Sequence, residues 1–300
     1  MTDRAAEHTP AMVAGIAPRL SVRSRLARRL RTSWDSVRPI QLPQYLPNPP
    51  HIGGQFAPGL IQGANLKTLS AAAMSEEAHA FVAGLLERLT PEGDITLQRA
   101  YYELSQAQFG KHWRYADVAH VLWAASTLIR PASYLEIGVM RGRSAATIAA
   151  TAPDCDIYGF DLWVPDYAGI PNPGPDFVRK EVDTVGHRGA LTLVSGDSAT
   201  TVPAFLREHP DLYFDTILID GGKSVVGVAA DFANTLPRLK VGGIVLTDDL
   251  AMFPRLRRVW RTLVEKDSRY MTSEFTDVGY SVAVAVRVSD EPLLAVMNRG

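Results

Sequence analysis

From Ser133 onward, short apolar runs alternate with longer stretches of helical period. The runs Tyr134–Ile137, Asp156–Phe160, Leu191–Val194, Thr216–Ile219 and Gly243–Leu246 predict five strands. Helices are expected between them. The clearest spans Val225–Leu236 and stops before Pro237; another spans Pro254–Glu265, with Pro254 suited to a first turn. Apolar strands alternating with helices predict a parallel sheet covered on both faces. Two further runs, Met271–Phe275 and Tyr280–Val288, predict a closing β-hairpin.

The front of the chain reads differently. Residues 1–16 read as a loose tail. Over residues 17–38, Val22, Leu26, Leu30 and Trp34 recur every four positions among Arg19, Arg23, Arg25, Arg28, Arg29, Arg31 and Arg38, which predicts a basic amphipathic helix. Its charged face is read as solvated, and its apolar stripe as a packing surface. Residues 39–63 are rich in proline and glycine and are expected to be irregular, the run Asn48-Pro49-Pro50-His51 included. Helices are then predicted over Ser75–Leu89, with Ser75 as N-cap and Glu76 and Glu77 in the first turn, over Ile95–Phe109 and over Tyr115–Ile129. Lys111, His112 and Trp113 fall in the break between the last two. The expected division is a front part, 1–112, comprising tail, basic helix and helical cap, and an α/β domain, 113–300.

Composition narrows the function classes. A net charge of −1 over 300 residues gives no reason to expect a nucleic-acid partner. Cys155 is the one cysteine, which excludes an intrachain disulfide and a cysteine-based metal cluster. No apolar run approaches membrane-spanning length and no signal layout opens the chain, so a cytoplasmic protein is expected. A small-molecule substrate and a homo-oligomer are the expected partners.

Candidate chemistry gathers at strand ends. Tyr134-Leu135-Glu136-Ile137-Gly138-Val139-Met140-Arg141-Gly142-Arg143-Ser144 is an apolar run ending in an acid, then a glycine loop, then an Ala-rich helix. Such a strand-loop-helix unit brings backbone close to a ligand and points the helix N-terminus at it. Met140 takes the middle glycine slot of a dinucleotide fingerprint, which counts against a pyrophosphate there. Asp161 ends the second strand twenty-three residues after Gly138, where a carboxylate suits a ribose diol. Asp197 and Ser198 follow the third strand, as base contacts or as a helix cap. Leu162 and Trp163 offer a flat apolar wall for a base. Asp220 follows the fourth strand, and Asp248 and Asp249 the fifth. Three carboxylates at neighbouring strand tips repel unless a cation lies among them, and oxygen-only ligands suit Mg²⁺ rather than zinc. The competing reading is a set of turn and capping residues. Lys223 stands three residues beyond Asp220, at a helix start where the dipole disfavours a cation. The connection 163–189 is long and proline-rich, as lids are; Tyr167 and His187 lie on it.

The run Leu135-Glu136-Ile137-Gly138 through Gly142 and Ser144 resembles motif I of the class I S-adenosylmethionine-dependent methyltransferases. The nearest likeness over residues 113–288 is to the metal-dependent O-methyltransferases, both the catechol type and the group that methylates macrolide sugars. The resemblance implies a Rossmann-like, seven-stranded, mostly parallel α/β sheet whose last strand inserts antiparallel, behind an N-terminal helical extension. It implies cofactor contacts from Glu136, Gly138, Gly142, Ser144 and Asp161, with Asp197 near the adenine; Leu162, Ser198 and Asp220 complete the expected set. It further implies Mg²⁺ on Asp220, Asp248 and Asp249, and Lys223 as base on a substrate hydroxyl. Lysine here agrees with the catechol type and departs from the antibiotic group, many of which carry histidine. A metal beside Lys223 is expected to depress its pKa. The rivals are a metal-independent methyltransferase, an NAD(P)-dependent oxidoreductase and a non-catalytic binding module.

Overall fold

The computed structural model describes residues 66–167, 169–276 and 281–290, all within one compact unit, Gln41–Gly300. The expected basic helix over 17–38 and irregular stretch over 39–63 lie outside the described residues.

The described chain opens with four helices: α1 (Leu66–Ala73), α2 (Glu76–Arg88), α3 (Asp94–Phe109) and α4 (Val118–Ile129). Ser75 caps α2 as its position predicts, accepting from Ala78 N at 3.1 Å. The last of the four starts three residues later than the periodicity suggests. Asp117 is the reason: its carboxylate accepts from Ala119 N and His120 N, and the His120 ring turns back to the Asp117 N–H, closing a capping box. α1, with eight residues, is too short to give a periodic signal in the sequence.

The α/β part follows in the order β1 (Ser133–Ile137), α5 (Arg143–Thr151), β2 (Asp156–Asp161), α6 (Pro175–Thr184), β3 (Leu191–Ser195), α7 (Ser198–Glu208), β4 (Phe214–Ile219), α8 (Val225–Thr235), β5 (Leu239–Thr247), α9 (Pro254–Trp260), β6 (Tyr270–Phe275) and β7 (Val282–Arg287). The sheet runs β3-β2-β1-β4-β5-β7-β6. Five strands are parallel, and β7 enters antiparallel between β5 and β6. This is the Rossmann-like arrangement with a terminal hairpin.

β5 begins well before the expected Gly243. Lys240 reaches Asp215 of β4 at 2.9 Å, and the register slips between Phe214 and Thr216. A Cβ on Gly243 would lie 2.9 Å from the Asp215 carbonyl oxygen, so the two backbones close up there only because glycine is present. The connection 163–189 is also shorter than it reads, because α6 occupies its second half with Pro175 in its first turn.

Side chains alternate between two cores, one on each face of the sheet. Tyr134, Ile157, Leu218 and Leu246 join residues of α1 to α6 on one side. Leu135, Phe160, Ile217 and Val245 join α7, α8 and α9 on the other. Trp113 belongs to the first core and stacks on Tyr115, ring centroids 5.2 Å apart. Lys111 and His112 beside it are exposed. Among the described residues no helix is long and apolar enough to cross a membrane.

Candidate active site

The site is built where β1 and β4 lie side by side. Their register pairs Ile137 with Ile219, so Gly138 and Asp220 emerge together at the carboxyl edge. Gly138 has φ +91°, and a Cβ on it would stand 2.3 Å from the Asp220 carbonyl oxygen. Glycine is therefore required by contact as well as by conformation. Its N–H donates to Phe160 O at 2.9 Å, while Asp220 N–H donates to Ile137 O at 2.8 Å. The loop after β1 and the turn after β4 thus form one continuous floor.

The loop turns through Met140 (φ +50°) and Gly142 (φ +79°) into α5. Asp161, at the end of β2, braces it: one carboxylate oxygen accepts from Met140 N at 2.7 Å and the other from Trp163 N at 2.6 Å. Each oxygen keeps a free lone-pair direction for a hydroxyl. Beneath the loop, Glu136 is fully enclosed. Ser144 in the first turn of α5 donates its hydroxyl to Glu136 Oε1. Burial raises the Glu136 pKa to about 8 against the pull of that hydrogen bond, and the Asp220 charge adds to the rise.

The wall beyond is mixed. Leu162 is exposed at the loop edge, and Trp163, at φ +52°, donates its ring N–H to Ser195 Oγ at 2.9 Å. Asp197 is the N-cap of α7, accepting from Ala199 N at 3.0 Å. Ser198 hydrogen-bonds the buried Asp231 of α8. Of the two roles open to Asp197, the structure fills the capping one. Tyr167 is exposed, and the His187 ring is engaged with Cys155 O at 2.8 Å.

At the tips of β4 and β5, Lys223 Nζ stands 2.6 Å from Asp220 Oδ1 and 2.6 Å from Asp249 Oδ2. Asp249 is in the left-handed region at φ +68°, and its N–H donates to Asp248 Oδ1 at 2.7 Å. Burial, and then the charges of Asp220 and Asp249, push the Asp248 carboxyl well above the usual carboxylate range. Burial also raises Asp220, against the opposing pull of Lys223. Burial would lower Lys223, but Asp220 and Asp249 outweigh it and hold the ammonium above its ordinary pKa. In this arrangement the ammonium is the cation that the two carboxylates hold. Among the described residues no three His, Cys, Asp or Glu side chains stand at metal-holding distances.

Two arginines of the loop went unread in the sequence. Arg143 reaches Asp117 Oδ2 at 3.2 Å and also donates to Gln98. Burial would raise the Asp117 carboxyl, yet Arg143 and His120 hold it well below the usual range. Arg141, nearly enclosed, donates to Pro171 O at 2.9 Å and to Glu92 at 3.2 Å, and lies over the Phe177 ring at 4.5 Å. The flanking of Gly142 by two arginines was the available signal, but their partners are distant in sequence.

A family model described as a methyltransferase domain matches residues 135–250. Similar solved structures include the O-methyltransferase TomG from Streptomyces achromogenes, involved in tomaymycin synthesis and complexed with SAM, at 17% identity over 62% of this chain and 88% of that one, TM-score 0.48. A Bacillus cereus O-methyltransferase in complex with SAH matches at 14% identity over 64% and 90%, TM-score 0.45. An SAH-bound methyltransferase from Podospora anserina matches at 14% identity over 91% and 99%, TM-score 0.45. No curated protein matches the chain.

Proposed function

We propose that this chain is an S-adenosylmethionine-dependent O-methyltransferase that acts on a hydroxyl of a small molecule. One observation carries the reading: Gly138 of the cofactor loop packs directly on the backbone of Asp220, whose carboxylate pairs with Lys223. A donor on the loop and an acceptor at Lys223 would then share one sheet edge, as ligands of open α/β sheets do.

The division of labour follows from the contacts. Glu136, Gly138, Gly142 and Ser144 would shape the floor under the methionine part of the cofactor. Asp161, already holding two backbone N–H groups, would accept from the ribose hydroxyls. Leu162 would cover the adenine, with Asp197 and Ser198 at its edge. Methyl transfer is a direct displacement: the acceptor oxygen forms a bond to the methyl carbon as the carbon–sulfur bond breaks, and the hydroxyl proton leaves to a base. Lys223 would take that proton only as the neutral amine, so it must first come away from the two carboxylates that hold it as ammonium.

Magnesium belongs to the same reading. The ammonium between Asp220 and Asp249 is a stand-in cation: these oxygens already select positive charge, and the donors are hard oxygens alone. Asp220 and Asp249 would hold the ion in place of the ammonium, and Asp248, next to Asp249, would have to draw in to complete the set. When bound, it would acidify the acceptor hydroxyl and orient it.

Calorimetric titration with S-adenosylmethionine, S-adenosylhomocysteine and NAD(H) tests the cofactor. Binding of the first two is expected; binding of NAD(H) alone would overturn the proposal. Methylation of a panel of phenols, sugars and polyketide alcohols, with and without EDTA, then tests acceptor and metal. Turnover undiminished by EDTA would favour the metal-independent alternative.

A further inference from the structure

We infer that Lys223 is a built-in placeholder, an ammonium that occupies the cation position between Asp220 and Asp249 and must be displaced before a divalent ion can enter. This rests on the metal-dependent reading above and concerns what that reading leaves open, namely what holds the carboxylates together before the ion arrives.

The geometry carries it. Nζ is 2.6 Å from Asp220 Oδ1 and 2.6 Å from Asp249 Oδ2, with the Asp220 carbonyl oxygen a further 3.4 Å away. An ion bound to the same two oxygens would need metal–oxygen distances of about 2.1 Å, and so would fall in the space the ammonium fills. Two cations at that separation repel strongly in a half-closed pocket, where the side chains of Lys223, Asp220 and Asp249 are 16%, 30% and 15% exposed. Lysine and ion therefore exclude one another.

The local backbone suits a side-chain swing. Ser224 caps α8 by accepting from Gly227 N at 3.0 Å, which anchors the chain just after Lys223. On the other side, Gly222 has no heavy atom within 4 Å of where its Cβ would be, so space is open before the lysine. Motion then falls on the four-carbon stem, whose rotamers are numerous. Without the ammonium, the carboxylates of Asp220, Asp248 and Asp249 would face one another uncompensated. The placeholder keeps the empty site folded, and it weakens metal binding by the fraction of time it stays seated.

Isothermal titration of Mg²⁺ and Mn²⁺ into the full-length protein tests this, with folding checked by thermal melting. Lys223→Met is expected to bind the ions about tenfold tighter or more than the wild type. Lys223→Arg, whose planar fork grips carboxylates more firmly, is expected to bind them more weakly. A lysine that merely supported the fold would give the opposite sign for Lys223→Met. Equal affinities in wild type and Lys223→Met would overturn the placeholder and leave the metal reading standing. If neither protein takes up an ion while both still bind S-adenosylhomocysteine, the metal reading falls and the placeholder with it.

Discussion

Glu136 is a carboxyl closed off from solvent at the tip of β1, and it accepts from the Ser144 hydroxyl. Burial lifts its pKa from 4.5 to about 8. Between these values the unfolded chain has released this proton and the folded chain still holds it, so folding stability falls as pH rises through that window. From pH 6 to pH 9 the cofactor-free protein is expected to lose on the order of 2 kcal/mol from this residue. Glu136→Gln keeps the acceptor for Ser144 and removes the ionisation, so chemical denaturation of the variant should show a flatter pH profile; a profile as steep as that of the wild type would contradict the assignment. Gly138 is constrained at the same scale. Gly138→Ala would place a methyl 2.3 Å from the Asp220 carbonyl oxygen at φ +91°, and is expected to destabilise by about 2 kcal/mol or more. Because the strain falls where loop and turn meet, S-adenosylhomocysteine affinity measured by calorimetry should drop with it.

At the scale of elements, the helical front and the α/β sheet are joined by a polar clasp as well as by the shared core. Arg143 at the start of α5 meets Asp117, the cap of α4, and Gln98 on α3. Tyr102 of α3 donates to the same carboxylate at 2.5 Å. Removing one partner from such a pair leaves a half-buried charge unmatched, a loss of about 3–5 kcal/mol when enclosure is complete. Both side chains keep some exposure, 19% and 16%, so Arg143→Ala is expected to cost about 2 kcal/mol in denaturant unfolding, with Asp117→Asn costing less because its cap hydrogen bonds survive. The clasp also marks the boundary of what the sequence discloses. Strand positions, the Ser75 cap and the acids at strand ends are local patterns, readable from a few adjacent residues. The late start of α4 follows from Asp117, whose second role is set by Arg143, twenty-six positions away. Likewise the spacing of Asp220 and Lys223 announces a cluster, but the reach of Lys223 to Asp249 depends on β4 and β5 being neighbours and on the left-handed turn at Asp249. The prolines before α6 carry a loop signal, although Pro175 is the first residue of the helix.

On the scale of the whole molecule, the parallel strands deliver their acids to one edge, and a core packs on each face of the sheet behind them. Charge crowding at that edge is greatest at Asp248, where burial and two neighbouring carboxylates act together and Lys223 is engaged with the other two. A residue kept in such a position acts against stability. Asp248→Asn retains the acceptor for the Asp249 N–H and removes one of three converging charges. In the ligand-free protein at pH 8, the variant is therefore expected to melt a few degrees higher than the wild type, since about 1 kcal/mol shifts a domain of this size by roughly 2–4 °C. Under the proposed function the same change removes a metal ligand, so divalent-ion uptake by calorimetry and methyl transfer should both fall, by about tenfold or more. The two signs belong together: stability gained and function lost from one isosteric change is the signature of a carboxylate retained for chemistry. A variant that melts lower and still turns over at the wild-type rate would return Asp248 to the role of a structural turn residue and move the catalytic edge away from β5.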